Sequence, residues 1–134
     1  MNGLIKNDSE IIAFVLCCFM SGSIDSAELR AWGMKVIENM EDYPLYLLDL
    51  IDFDDPRFHI YEIIGFIPDD AISKNGRRTI DQLALYRKNI LPDSMTRKDA
   101  TRQDWIDIDT VQKFNKIFKD ILDPIPISGA PTRP

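Results

Sequence analysis

Residues 25–42 read DSAELRAWGMKVIENMED, and this stretch decides the fold class. Asp25 and Glu28 stand three residues apart, the spacing of a capping box with Asp in place of the usual hydroxyl residue. Leu29, Trp32, Val36, Ile37 and Met40 follow at steps of three and four, so one side of a helix collects them all. Lys35 and Glu38 fall elsewhere on the wheel. A helix from Asp25 to about Asp42 is predicted.

Outward from this helix the same period recurs. On the N-terminal side, IIAFVLCCFM (Ile11–Met20) is the longest apolar run, and Asn7, Asp8 or Ser9 can cap it. Glu10 sits in its first turn, where negative charge is favoured. A helix apolar on most sides is normally central. At 1.5 Å per residue the run reaches about 15 Å, half of a bilayer's hydrocarbon core, so it does not span. Asp8 and Glu10 ahead of it also argue against a secretion signal. The adjacent Cys17 and Cys18 cannot readily bridge each other and fit a reduced, apolar filler, which makes the cytoplasm the expected compartment.

On the C-terminal side Pro44 suits the first turn of a third helix, with Leu45, Leu47, Leu48 and Ile51 as packing residues. Residues 57–66 read as a further helix, although their β-branched and aromatic residues also fit a short strand, and Pro68 is the expected stop. A single turn fits Asp69–Ser73, and Asn75-Gly76 is a turn signal. Thr79–Ile90 reads as a helix ended by Pro92, and Asp93–Asp104 as a long polar loop with a broken helical turn. Asp109 or Thr110 should cap a last helix with Val111, Phe114, Ile117, Phe118, Ile121 and Leu122 facing inward. The Pro-rich tail after Pro124 cannot continue it. The expectation is an all-α fold: a single compact bundle of five or six helices over residues 1–124, with an extended tail over 125–134.

Composition sets bounds on function. The chain has 134 residues, is 45% hydrophobic and carries a formal charge of −6, enough for one core and too apolar for generic disorder. The charge is unevenly spread. Met1–Asp70 holds 14 acidic and 4 basic residues, a balance of −10, whereas Ala71–Pro134 holds 8 acidic and 12 basic, a balance of +4. Glu41, Asp42, Asp49, Asp52, Asp54 and Asp55 follow one another without an intervening Lys or Arg, and Asp69 and Asp70 add to them from the next connection. Asp49 and Asp52, three apart on a helix, repel each other. Such a run serves either as a solvated face or as an electronegative patch that steers a basic partner. Tyr43, Tyr46, Phe53, Phe58 and Tyr61 lie within or beside it as potential anchors.

No catalytic constellation stands out. Counted from Asp52 as a calcium loop, Arg57 takes the glycine place and Ile63 the closing glutamate place, so the motif fails. His59, the one histidine, gives with Glu62 two zinc ligands where three or four are needed, and reads as a packing or interface residue. The cysteines lie in an apolar helix that raises rather than lowers thiol pKa. Phosphate-loop and serine-hydrolase signatures are absent, and spacing selects no carboxylate pair for glycosidic chemistry. No cofactor, no metal and no enzymatic activity are expected. Lys74, Arg77, Arg78, Arg87, Lys88, Arg97, Lys98 and Arg102 raise a nucleic-acid alternative, diluted by Asp81, Asp93 and Asp99. A small helical enzyme gathering carboxylates around His59 is a further alternative.

Through Leu29-Arg30-Ala31-Trp32, ENMEDYPLYLLDLIDFDD (Glu38–Asp55) and HIYEIIGF (His59–Phe66), the chain resembles immunity proteins of bacterial contact-dependent growth inhibition and related polymorphic toxin systems. The resemblance covers about Ile11–Phe66 and rests on texture rather than a diagnostic motif. It implies a cytoplasmic, non-catalytic antidote that binds one cognate toxin domain, a basic nuclease, with no direct nucleic-acid or membrane contact. From charge and expected exposure, the partner-binding residues are Tyr46, Asp49, Asp52, Asp54, Asp55, Phe58, Asp69 and Asp70.

Overall fold

Capping chemistry sets most of the element boundaries. A computed structural model gives the fold of residues 3–54, 57–69 and 72–126, with Phe58 described in its backbone alone. Among these residues there are seven α-helices: α1 (Glu10–Ser21), α2 (Ser26–Asn39), α3 (Tyr46–Ile51), α4 (Ile60–Ile64), α5 (Lys74–Lys88), α6 (Arg97–Ala100) and α7 (Ile108–Ile117). Short 3-10 turns occupy Arg57–His59 and Gln103–Trp105. No strand is present among the described residues; the one pairing is an isolated bridge between Ile5 and Asp8. The all-α expectation stands, and the expectation of five or six helices is corrected to seven.

The additional helix is α6, inside the stretch expected to be a polar loop with a broken helical turn. A second capping box makes it: the Asp99 amide donates to Thr96 Oγ1 (3.1 Å) and the Thr96 amide to Asp99 Oδ2 (3.4 Å). One polar turn of four residues leaves no hydrophobic period to read. In α2 the expected box forms, with Glu28 N donating to Asp25 Oδ1 (2.8 Å) and Asp25 N to Glu28 Oε1 (3.0 Å). That helix stops at Asn39 rather than Asp42. Asn39 Nδ2 donates to the Lys35 carbonyl (2.7 Å), and Met40 is already extended.

Three further boundaries move. The segment around Tyr61 is helical rather than a strand, but α4 ends at Gly65, whose φ of 83° is left-handed, before Pro68 is reached. Helix α5 begins at Lys74, because Ser73 Oγ accepts from the Gly76 amide (3.0 Å). Gly76 is therefore no loop turn. A Cβ there would meet Thr110 Oγ1 at 2.9 Å, so the glycine lets the start of α5 approach α7 closely. Asp107, not Asp109 or Thr110, caps α7 and accepts from the Thr110 amide (3.2 Å).

By its internal contacts the chain groups into two compact units, Met1–Met20 with Ile24–Ala71, and Ser21–Ser23 with Ile72–Pro134. In the first, Ile12, Leu16 and Phe19 of α1 are buried with Leu29 and Trp32 of α2, Leu47 and Leu50 of α3, and Ile60 and Ile64 of α4. The Phe19 and Phe53 rings meet edge-on at 6.2 Å. In the second, Ile80, Leu83 and Ala84 of α5 are buried with Val111 and Phe114 of α7 and with Phe118. Ile125 is also buried: Asn115 grips it from α7, Oδ1 accepting its amide (2.7 Å) and Nδ2 donating to its carbonyl (2.9 Å). Residues 127–134 of the expected tail lie outside the described residues.

Candidate functional site

The acidic run of the first unit is carried by α3 and its flanks. Pro44 opens the helix, its carbonyl accepting from the Leu47 amide (3.1 Å). Six residues give α3 room for one inward stripe, and Leu47 and Leu50, three apart, take it. At about 100° per residue, Leu45, Leu48, Asp49 and Asp52 then fall within an arc of about 100° on the other side. All four are exposed, Leu45 by 75% and Leu48 by 46%. Arg30 of α2 ties off the C-terminal end, its Nε donating to the Ile51 carbonyl (2.9 Å). Asp52 sits at that same end, where the helix dipole already disfavours negative charge.

Tyr46 has an internal role. Its hydroxyl donates to the Leu4 carbonyl (2.6 Å), and its ring meets Phe66 edge-on at 6.0 Å. Burial holds the phenol well above its ordinary pKa of 10.0. Ile67 is 83% exposed. Asp69 is exposed, and its amide donates to Ser9 Oγ (2.8 Å), which anchors the connection after α4. Asp54 is exposed as well. Asp55, Asp70 and the Phe58 side chain lie outside the described residues.

The geometry thus brings together Asp49 and Asp52 on one helical face, with Asp54 two residues further on. The anchors beside them are aliphatic. Leu45 and Leu48 were expected to pack inward, and Ile67 was expected in the apolar set of the following helix; all three are exposed. The readable signal was the shortness of the helix between Pro44 and Asp52: with one i, i+3 pair inside, the other pair must point away.

Elsewhere, chemistry-bearing residues serve packing. Arg78 and Arg102 place their guanidinium carbons 4.2 and 4.6 Å from the Trp105 ring centre, and Arg102 pairs with Asp104 through two bonds (3.1 and 2.6 Å). Arg87 donates to the Ser23 carbonyl and lies 5.7 Å from the Phe114 ring centre. Arg78 leaves α5 about 180° from Arg87, whereas Arg77, Arg87 and Lys88 fall within an arc of about 100°. Among the described residues, no group of three His, Cys, Asp or Glu side chains is placed to hold a metal. No helix among them is long and apolar enough to cross a membrane. No protein-family model, curated protein or solved structure matches the chain.

Proposed function

We propose that this chain is a binding protein, an antidote of the immunity class, that seats a basic toxin domain on the outer face of α3. One observation supports this reading above the others: two exposed leucines share a single helical arc with two exposed aspartates. Apolar side chains ringed by like charge serve a partner of opposite charge, because burying them together releases water while the charges pair at the rim. A nuclease domain fits that description, since it needs positive surface to hold phosphate. The aspartates would compete for that surface, and Leu45 and Leu48 would supply the contact that keeps the complex together. Asp54 and Asp69 would add steering charge, and the cytoplasm would be the place of action.

The test is capture of the tagged chain from its own host at moderate salt, followed by assay of the captured complex. The expected result is one stoichiometric basic domain whose nuclease activity is blocked and returns on dissociation. Capture of nucleic acid alone, or of a partner whose activity is unaffected, would overturn the antidote reading.

A further inference from the structure

On its own the outer face of α3 is too small to hold a protein partner. Six helical residues run about 9 Å, whereas a stable interface buries about 800 Å² on each side. A second element has to contribute, and the packing of α3 shows which. Arg30 Nε of α2 donates to the Ile51 carbonyl (2.9 Å), and Ile51 Cγ1 lies 3.5 Å from where a Cβ on Gly33 would stand. One turn from this contact towards the 40–45 connection lie Met34, four residues after Arg30, and Leu48, three residues before Ile51. The two side chains thus stand level on adjacent helices, on the side away from the buried Leu29, Trp32, Leu47 and Leu50. Met34 is 48% exposed.

Around Met34 the outer face of α2 is open. Ala27, Arg30, Ala31, Met34 and Glu38 fall within an arc of about 100°, and all five are exposed. The alanines are short, so the helix pair presents a low apolar surface that continues onto Leu48 and Leu45 of α3. Glu38, Asp49 and Asp52 against Arg30 leave that surface acidic. Within both helices the backbone groups are bonded internally, so a partner is held here by side chains. A strand, which docks through its backbone, finds nothing to pair with.

We propose that the α2–α3 pair is a seat for a helix of the partner. That helix is amphipathic: its apolar stripe covers Met34, Leu45 and Leu48, and lysines or arginines flank the stripe and face Glu38, Asp49 and Asp52. This rests on the reading that the α3 face docks a basic protein, and adds a second element and a docking motif to it. Apolar residues three and four apart form the ridge by which one helix packs on others. The flexible thioether of Met34 adapts to the ridge it meets. The acidic rim rejects a helix whose flanks carry like charge.

Three synthetic helices of about five turns test the seat. One carries a leucine stripe flanked by lysines, the second has glutamate for every lysine, and the third scrambles the first so that the stripe is lost. Each is titrated into the whole isotope-labelled protein and followed by amide and methionine-methyl NMR. The expected result is binding of the striped lysine helix, with shifts at Ala31 and Met34 of α2 and at Leu45, Leu48 and Asp49 of α3. The other two helices should bind at least about tenfold more weakly. Met34→Lys, at an exposed position, should weaken the striped lysine helix about fivefold and leave the unfolding midpoint unchanged. Shifts confined to α3, with no effect of Met34→Lys, overturn the part of α2. Equal affinity for the scrambled or the glutamate helix, or no binding of any of the three, overturns the seat. Failure of the antidote reading looks different: the striped helix still binds across α2 and α3, while the captured domain keeps its activity.

Discussion

The two units share helices, caps and a buried apolar interior, yet they dispose of their surplus side chains in opposite ways. The first holds 14 acidic against 4 basic residues, and its third helix turns Leu45, Leu48, Asp49 and Asp52 outward. The second holds 8 acidic against 12 basic residues and places Arg78, Arg87 and Arg102 against aromatic rings. Three arginines of the second unit thus pack on rings, as Arg57 does on Phe19 in the first, whereas on α3 the aspartates are left in solvent next to exposed leucines. The comparison teaches that residue type alone does not mark a functional surface. What marks it is a charged or apolar group with no structural employment.

The comparison can be broken by mutation. The largest expected effect is Phe114→Ala, which removes a fully buried ring 4.8 Å from Phe118 and should cost about 3–5 kcal/mol of stability, read by denaturant unfolding. Leu48→Ala, a similar truncation on the α3 outer face, should stay within about 0.5 kcal/mol. A comparable loss at both sites would mean that the α3 leucines are core residues after all.

Tyr46→Phe sharpens the same contrast within α3 and should cost about 1–2 kcal/mol, because the Leu4 carbonyl loses its donor. The variant also has a pH signature. The folded phenol has a raised pKa, so above about pH 10 the folded state retains a proton that the unfolded state has released. Native stability should therefore fall as pH climbs past 10, and Tyr46→Phe should flatten that slope.

Asp81 offers a smaller test in the second unit. Burial raises its pKa, opposed by the Ser94 hydroxyl, which donates to it (3.0 Å), and by Arg77. A carboxyl whose folded pKa is raised binds its proton more tightly in the folded state, so its contribution to stability falls as pH rises from 3.8 through the folded value. Asp81→Asn should remove that part of the acid dependence and raise the melting temperature slightly at pH 7. A lowered melting temperature would show that the Ser94 contact outweighs burial.

The smallest stability effect is the most telling. Asp52→Asn removes negative charge from the C-terminal end of α3 and should stabilise the fold by about 0.3 kcal/mol while weakening partner binding. A gain in stability together with a loss of binding would assign Asp52 to the partner surface rather than to the fold.

Much of this architecture was legible in the sequence, and the failures have physical causes. Helix α2 was readable because its start signal and its period act locally: Asp25 and Glu28 cap each other regardless of context. The interior of α7 was readable for the same reason, since Val111, Phe114 and Phe118 repeat at three and four. Helix α6 was legible only as a broken helical turn, because a four-residue helix made by Thr96 and Asp99 has no period. Gly76 was misread because its reason is tertiary, the nearness of Thr110, which composition cannot reveal. At the candidate site the aspartates were legible as a charge run. Their apolar neighbours were not, because rings were expected to be the anchors, whereas Tyr46 is spent on Leu4 and Phe66.

The most direct test of the central claim is the association rate of the chain with its captured toxin domain, measured by stopped flow across a range of salt. The native protein should associate quickly at low salt and slow steeply as salt rises. Neutralising Asp49, Asp52 and Asp54 together to Asn should slow association about tenfold at low salt and flatten the salt dependence, with the fold intact. An unchanged rate and slope in that triple variant would show that the partner docks elsewhere, and the α3 face would revert to a solvated surface.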